Sequence, residues 1–210
     1  MNIKKYYDNK DILIDLMKRT IDSFIDYNYI LLKREVSERA LCGALMLELY
    51  KQLQSTIFNR YFVDIEFNRS NIKAFNTIKR IPGDKAKILR ISTDLIVHGR
   101  GILPKDEPDN LMAIEIKRFY KDYSRYKMNK EKDLWRLEYL TLQEDDLYGH
   151  QRFNLKDIKK VGLYGYKLGV FLKVDYNHKN IYCEFYVHGA YLDNYTSKKF
   201  DFEEGNVDYK

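Results

Sequence analysis

Two acids and a lysine stand where alternating strand residues would carry them to one place. In Asn110-Leu-Met-Ala-Ile-Glu115-Ile-Lys117, residues two apart face the same side of an extended chain. Glu115 and Lys117 therefore project together while Ile114 and Ile116 point into the opposite layer. Asp94, in Asp94-Leu-Ile-Val-His-Gly-Arg-Gly, begins or ends a second apolar run. If the two runs pair as a hairpin, the Asp94 and Glu115 carboxylates converge into a hard-oxygen site suited to Mg²⁺, with Mn²⁺ as a substitute. The chemistry such a set could perform is phosphodiester hydrolysis. That reaction needs an activated water, neutralisation of the charge growing on phosphorus, and protonation of the leaving oxygen. The Lys117 ammonium would orient water and offset charge, and the Ile116 carbonyl could add a metal ligand. A Glu-x-Lys triplet alone is a weak signal; its place at the end of an apolar strand, beside an acid on the neighbouring strand, strengthens it.

The elements around these residues must position them. Ile14, Met17, Ile21, Phe24 and Ile25 recur at helical spacing and predict a first helix over 9–32. A second is expected over about 36–56, where Leu41, Leu45 and Leu49 return every four residues. Glu38 shares their face, so it is a candidate to bind metal through water or to complete a second metal site. From Arg60 the period becomes two, with Val63, Ile65 and Phe67 alternating with Phe62, Asp64 and Glu66. Glu66 lies on the polar side of this run. Residues 68–87 read as a basic exposed loop around Pro82-Gly83-Asp84. Ile88 to Val97 and Leu111 to Ile116 predict two strands of a hairpin, and Asp133, Leu134, Leu137, Leu140 and Leu142 a helix laid on the sheet. Strands at 162–174 and 181–187 follow, joined by the turn Asp175-Tyr-Asn-His-Lys-Asn180. The order is helix, helix, three strands, helix, two strands.

Four separated segments carry a resemblance: Val63-Asp-Ile-Glu-Phe-Asn-Arg69, Ser92-Thr-Asp94-Leu-Ile-Val-His-Gly, Asn110-Leu-Met-Ala-Ile-Glu115-Ile-Lys117 and Tyr164-Gly-Tyr-Lys-Leu-Gly-Val-Phe171. Together they resemble the PD-(D/E)XK nuclease superfamily, the restriction-endonuclease-like fold, in particular its small uncharacterised bacterial and phage members, over residues 35–187. The resemblance implies an α/β (α+β) fold with a central mixed sheet flanked by helices. By position it makes Asp94 the motif aspartate, Glu115 the second acid, Lys117 the lysine and Glu38 the glutamate of the first core helix, and it implies Glu66 as a secondary candidate that orients Lys117 or a metal water. Thr93 stands where the motif's name has proline. The implied function is Mg²⁺-dependent cleavage of nucleic acid, DNA first, in phage defence, mobile elements or repair. The alternative is a non-catalytic nucleic-acid-binding or assembly module on the same fold.

Length and composition agree with one such domain. The 210 residues are 45% hydrophobic, enough for a core, and the three prolines and ten glycines mark no linker. The expected organisation is a helical extension at 1–34 packed on the core, a nuclease-like domain at 35–195 and a tail at 196–210. A net charge of +6 favours a polyanionic partner. Arg100, Arg118, Lys121 and Arg125 are the candidate phosphate contacts, with Tyr120, Tyr123 and Tyr126 interleaved as possible stacking surfaces. Cys42 and Cys183 read as reduced core residues, and the scattered His98, His150, His178 and His188 as structural rather than zinc-binding. No apolar run reaches the ~20 residues of a membrane span, and the first residues lack a secretory signal's apolar core. A cytoplasmic protein without a membrane partner is expected, with a homodimer or a partner subunit as open possibilities.

Overall fold

In the computed structural model, residues 10–65, 80–82, 88–90, 93–119, 123–143, 146 and 165–200 are described, the side chains of 80–82, 88–90 and 123–129 excepted. Helix α1 (Lys10–Tyr27) turns Leu13, Leu16, Met17, Thr20, Ile21, Phe24 and Ile25 inward. The single helix expected over 9–32 is broken at Asn28, beyond which a short α2 (Tyr29–Lys33) changes direction. Helix α3 (Glu38–Gln54) starts at Ser37, whose hydroxyl accepts from the Ala40 amide at 3.3 Å and satisfies one of the first-turn donors. Its buried stripe is Leu41, Cys42, Leu45, Leu49 and Leu53. Glu48 lies on that stripe too, and is made tolerable there by hydrogen bonds from Ser23 and Lys51.

Six strands form the main sheet: β1 (Phe62–Ile65), β4 (Leu95–His98), β5 (Asn110–Phe119), β6 (Leu168–Asp175), β7 (Asn180–Val187) and β8 (Ala190–Thr196), adjacent in that order. All neighbours are antiparallel except β5 and β6, whose parallel pairing requires a crossover, supplied by helix α4 (Tyr123–Thr141). The chain is thus α+β with a mixed sheet flanked by helices. Strands β2 (Arg80–Pro82) and β3 (Ile88–Arg90) pair separately as a two-stranded sheet. The continuous strand expected from Ile88 to Val97 is therefore two strands in two sheets.

Period-two alternation divides the core into two layers. Leu95, Val97, Met112, Ile114, Ile116, Val170, Leu172 and Val174 pack with α1 and α3. Ile96, Ala113, Phe171 and Tyr186 pack with Leu137 and Leu140 of α4. Helix α4 comes closest at Gly169, where an added Cβ would meet Thr141 Cγ2 at 2.9 Å. Helix α1 shares one core with α3 and the sheet. Beyond β8, which runs to Thr196, the Ser197 amide donates to the Ile181 carbonyl, and Phe200 is buried against Tyr176. No described helix is long and apolar enough to cross a membrane.

Candidate metal and phosphate centre

The β4–β5 ladder pairs Leu95 with Ile114, and one step further along the same register sets Asp94 against Glu115. Glu115 points to the α4 side, where Arg136 lies 3.1 Å from it, while Asp94 stands at the sheet end and lines a cleft with Arg39 and Cys42 of α3. The Asp94 Oδ2 atom accepts from the Ile116 amide at 2.8 Å, and its carboxylate is hydrogen-bonded to that of Glu115. A carboxyl group beside a neighbouring carboxylate keeps its proton to higher pH. Glu115 is only 1% exposed, and burial pushes its carboxyl up to about 8, with Arg136 pulling it back down and Asp94 raising it further.

Lys117, two residues along β5, sends its ammonium to the same place. Nζ lies 3.3 Å from Asp133 Oδ2, 3.7 Å from Glu38 Oε2 and 3.9 Å from Asp94 Oδ2. Glu38, the first residue of α3, is locked across the sheet end because its Oε1 accepts from the Arg118 amide at 3.1 Å. Glu38 and Asp94 also line a cleft of about 180 Å³ with Arg39, Cys42 and Ile65. Burial, with the charges of Asp94 and Glu38, pushes the Cys42 thiol up to about 12, so it stays protonated beside the centre. Cys42 and Cys183 are both free and buried.

Asp94, Glu115, Lys117 and Glu38 are thus brought together. Ile116 is buried beside them, held by its amide; nothing further is assigned to its carbonyl. Glu66 and Lys121 lie outside the described residues, as do Tyr120, His150 and the side chains of Tyr123, Arg125 and Tyr126. The two remaining basic candidates have internal partners. Arg100 grips the Asp64 carboxylate through two nitrogens and lies 4.2 Å above the Phe62 ring. The Arg118 guanidinium donates to the Glu35 and Val36 carbonyls, fastening the chain that leads into α3. His98, His178 and His188 pair with Asp64, Asp175 and Asp146 respectively.

Two members of the centre were not singled out from the sequence. Asp133 of α4 is buried and ion-paired with Arg136 one turn on; Arg136 in turn lies 3.1 Å from Glu115 Oε1. A signal existed, since Asp133 heads the stripe continued by Leu137 and Leu140, the same pattern of an acid on an apolar face that marked Glu38.

The donor set fits a divalent cation. Glu115 Oε1 is buried without an aligned hydrogen bond, and the proton that the raised Glu115 carboxyl keeps is one a cation could replace. Among the described residues no three His, Cys, Asp or Glu side chains form a ready-made cage. Binding would therefore rest on Asp94, Glu115 and water, in keeping with the preference of Mg²⁺ for one or two carboxylates and retained waters. The chain matches no protein-family model, no curated protein and no solved structure.

Proposed function

We propose that the chain is a metal-dependent nuclease of the restriction-endonuclease-like, PD-(D/E)XK kind, hydrolysing phosphodiester bonds in nucleic acid, with DNA as the first substrate to test. The observation that carries this reading is the meeting of Asp94, Glu115 and Lys117 at one sheet end, with Lys117 Nζ 3.9 Å from Asp94. The order α3, then β1, β4 and β5, then α4 and a parallel β6 supports it, because it places the acids of two strands and the glutamate of a helix around one point.

The roles follow from position. Asp94 and Glu115 would hold Mg²⁺ or Mn²⁺, which when bound supplies Lewis acidity toward the phosphate and makes water more acidic. Lys117 donates to the attacking water and to a non-bridging phosphate oxygen, its charge offsetting that of the transition state. Glu38, 3.7 Å from the ammonium, adds negative charge at the cleft and can accept from a water there. Burial of Glu115 keeps bulk water from screening these charges.

The deciding assay offers labelled plasmid, linear duplex, single-stranded DNA and RNA to the wild type and to Lys117→Ala, with Mg²⁺, Mn²⁺ or chelator. Metal-dependent cutting lost in Lys117→Ala is expected. Cutting that persists in the variant at the wild-type rate refutes the assignment.

A further inference from the structure

Among the described residues three carboxylates lie within 4 Å of Lys117 Nζ, and they are not equivalent. Glu38 and Asp94 lie 3.7 and 3.9 Å away with side chains 40% and 27% exposed; Asp133 lies at 3.3 Å and is 3% exposed. Attraction is strongest where solvent is excluded, so the buried acid dominates the placement of an ammonium carried on a freely rotating four-carbon stem. Asp133 is itself fixed, one oxygen being paired with Arg136 in the next turn. Its other oxygen, Oδ2, is the one nearest Lys117 and has no hydrogen bond of its own. An ordinary intrahelical ion pair would account for the first oxygen and leave the second, buried and directed at the centre, without a purpose.

We propose that Asp133 is a positioning residue, holding the Lys117 ammonium on the α4 side of the centre and away from the Asp94 carboxylate. The inference rests on the nuclease reading, in which Asp94 must be free to hold a divalent cation. Without Asp133 the ammonium has only Asp94 and Glu38 left among these three acids, so it swings onto the metal ligand and competes with the cation. Helix α4 thereby takes part in the centre through a residue that touches neither metal nor phosphate. The close approach of α4 at Gly169 gives the helix a fixed seat from which to do so.

The test is a cycle of four proteins, wild type, Asp133→Asn, Lys117→Ala and the double variant, titrated calorimetrically with Mn²⁺. Asp133→Asn is expected to weaken Mn²⁺ binding about 10-fold or more, a factor equal to about 1.4 kcal/mol of competition from an ammonium moved onto Asp94. In the Lys117→Ala background the same change should cost about twofold or less, because the competing ammonium is gone. Equal losses in the two backgrounds, or none in the first, overturn the positioning role while leaving the nuclease reading intact. A wild type that neither binds Mn²⁺ nor cuts nucleic acid overturns both. Thermal melts establish that each variant is folded. Asp133→Glu keeps the charge and is expected to bind Mn²⁺ within about threefold of the wild type, so it carries the test if the Asn variant does not fold.

Discussion

Replacing Glu115 with Gln should stabilise the metal-free protein while removing a residue of its proposed centre. Burial raises the Glu115 carboxyl from its ordinary 4.5 to about 8, so at pH 7 the folded chain retains a proton that the unfolded chain has released. A carboxyl raised in this way favours the fold fully only below about 4.5. Its contribution is lost as pH climbs toward 8, because over that window the native state binds more protons than the unfolded one. From 4.5 to 7 is about 2.5 pH units, and at about 1.4 kcal/mol per unit the loss is roughly 3 kcal/mol. Gln has no proton to release, and its amide can donate to Asp94 as the protonated acid does. The variant should therefore exceed the wild type by roughly 3 kcal/mol at pH 7, a midpoint about 6–12 °C higher for a chain of this size. The assay is thermal melting of both proteins in chelator from pH 4.5 to 9. The gap should be near zero at the acid end, widen with pH and level off above about 8. A variant that melts below the wild type at pH 7, or a gap that does not change with pH, would refute the argument from burial.

Two further outcomes follow from the same geometry. Mg²⁺ or Mn²⁺ should raise the melting temperature of the wild type more at pH 8 than at pH 6, since the cation must displace the proton kept by Glu115; in Glu115→Gln that pH dependence should largely vanish. Gly169→Ala should destabilise the protein by about 1–3 kcal/mol in denaturant titrations, because its Cβ would stand 2.9 Å from Thr141 Cγ2 and 3.2 Å from Tyr186 Cβ and force α4 outward.

What could be read in the sequence was whatever a periodic pattern carries. Leu41, Leu45 and Leu49 gave α3 with Glu38 on its inner face, and Glu115-Ile-Lys117 gave a strand with its charged pair on one side. The turn beginning at Asp175 was legible because its carboxylate accepts from the Asn177 and His178 amides, a local device that needs no distant partner. Strand β8 was missed because it is a sheet edge largely open to water. Ala190, Tyr191, Asp193 and Asn194 are exposed, so no alternation of apolar and polar residues announced it. The apolar residues from Ile88 to Val97 were read as continuous, although they serve two different sheets. Asp133 was read only as the head of an apolar helical stripe and Arg136 was not considered, since the docking of α4 is what sets them against Lys117 and Glu115. Arg100 and Arg118 looked free for phosphate for the converse reason: their partners, Asp64 and the carbonyls of Glu35 and Val36, are 36 and more than 80 residues away.

The hydrogen bond from the Arg118 amide to Glu38 joins positions 80 residues apart, and Lys117 meets acids from α3, β4 and α4. No single helix or strand contains the whole constellation, so it comes into being only when both helical layers have closed on the sheet. Contacts of that kind form late in folding, after the long loops between them have been closed. A cation bound there has nothing to hold in the early stages and everything to hold at the end. It should therefore slow unfolding and extend the lifetime of the native state while leaving the folding rate almost unchanged.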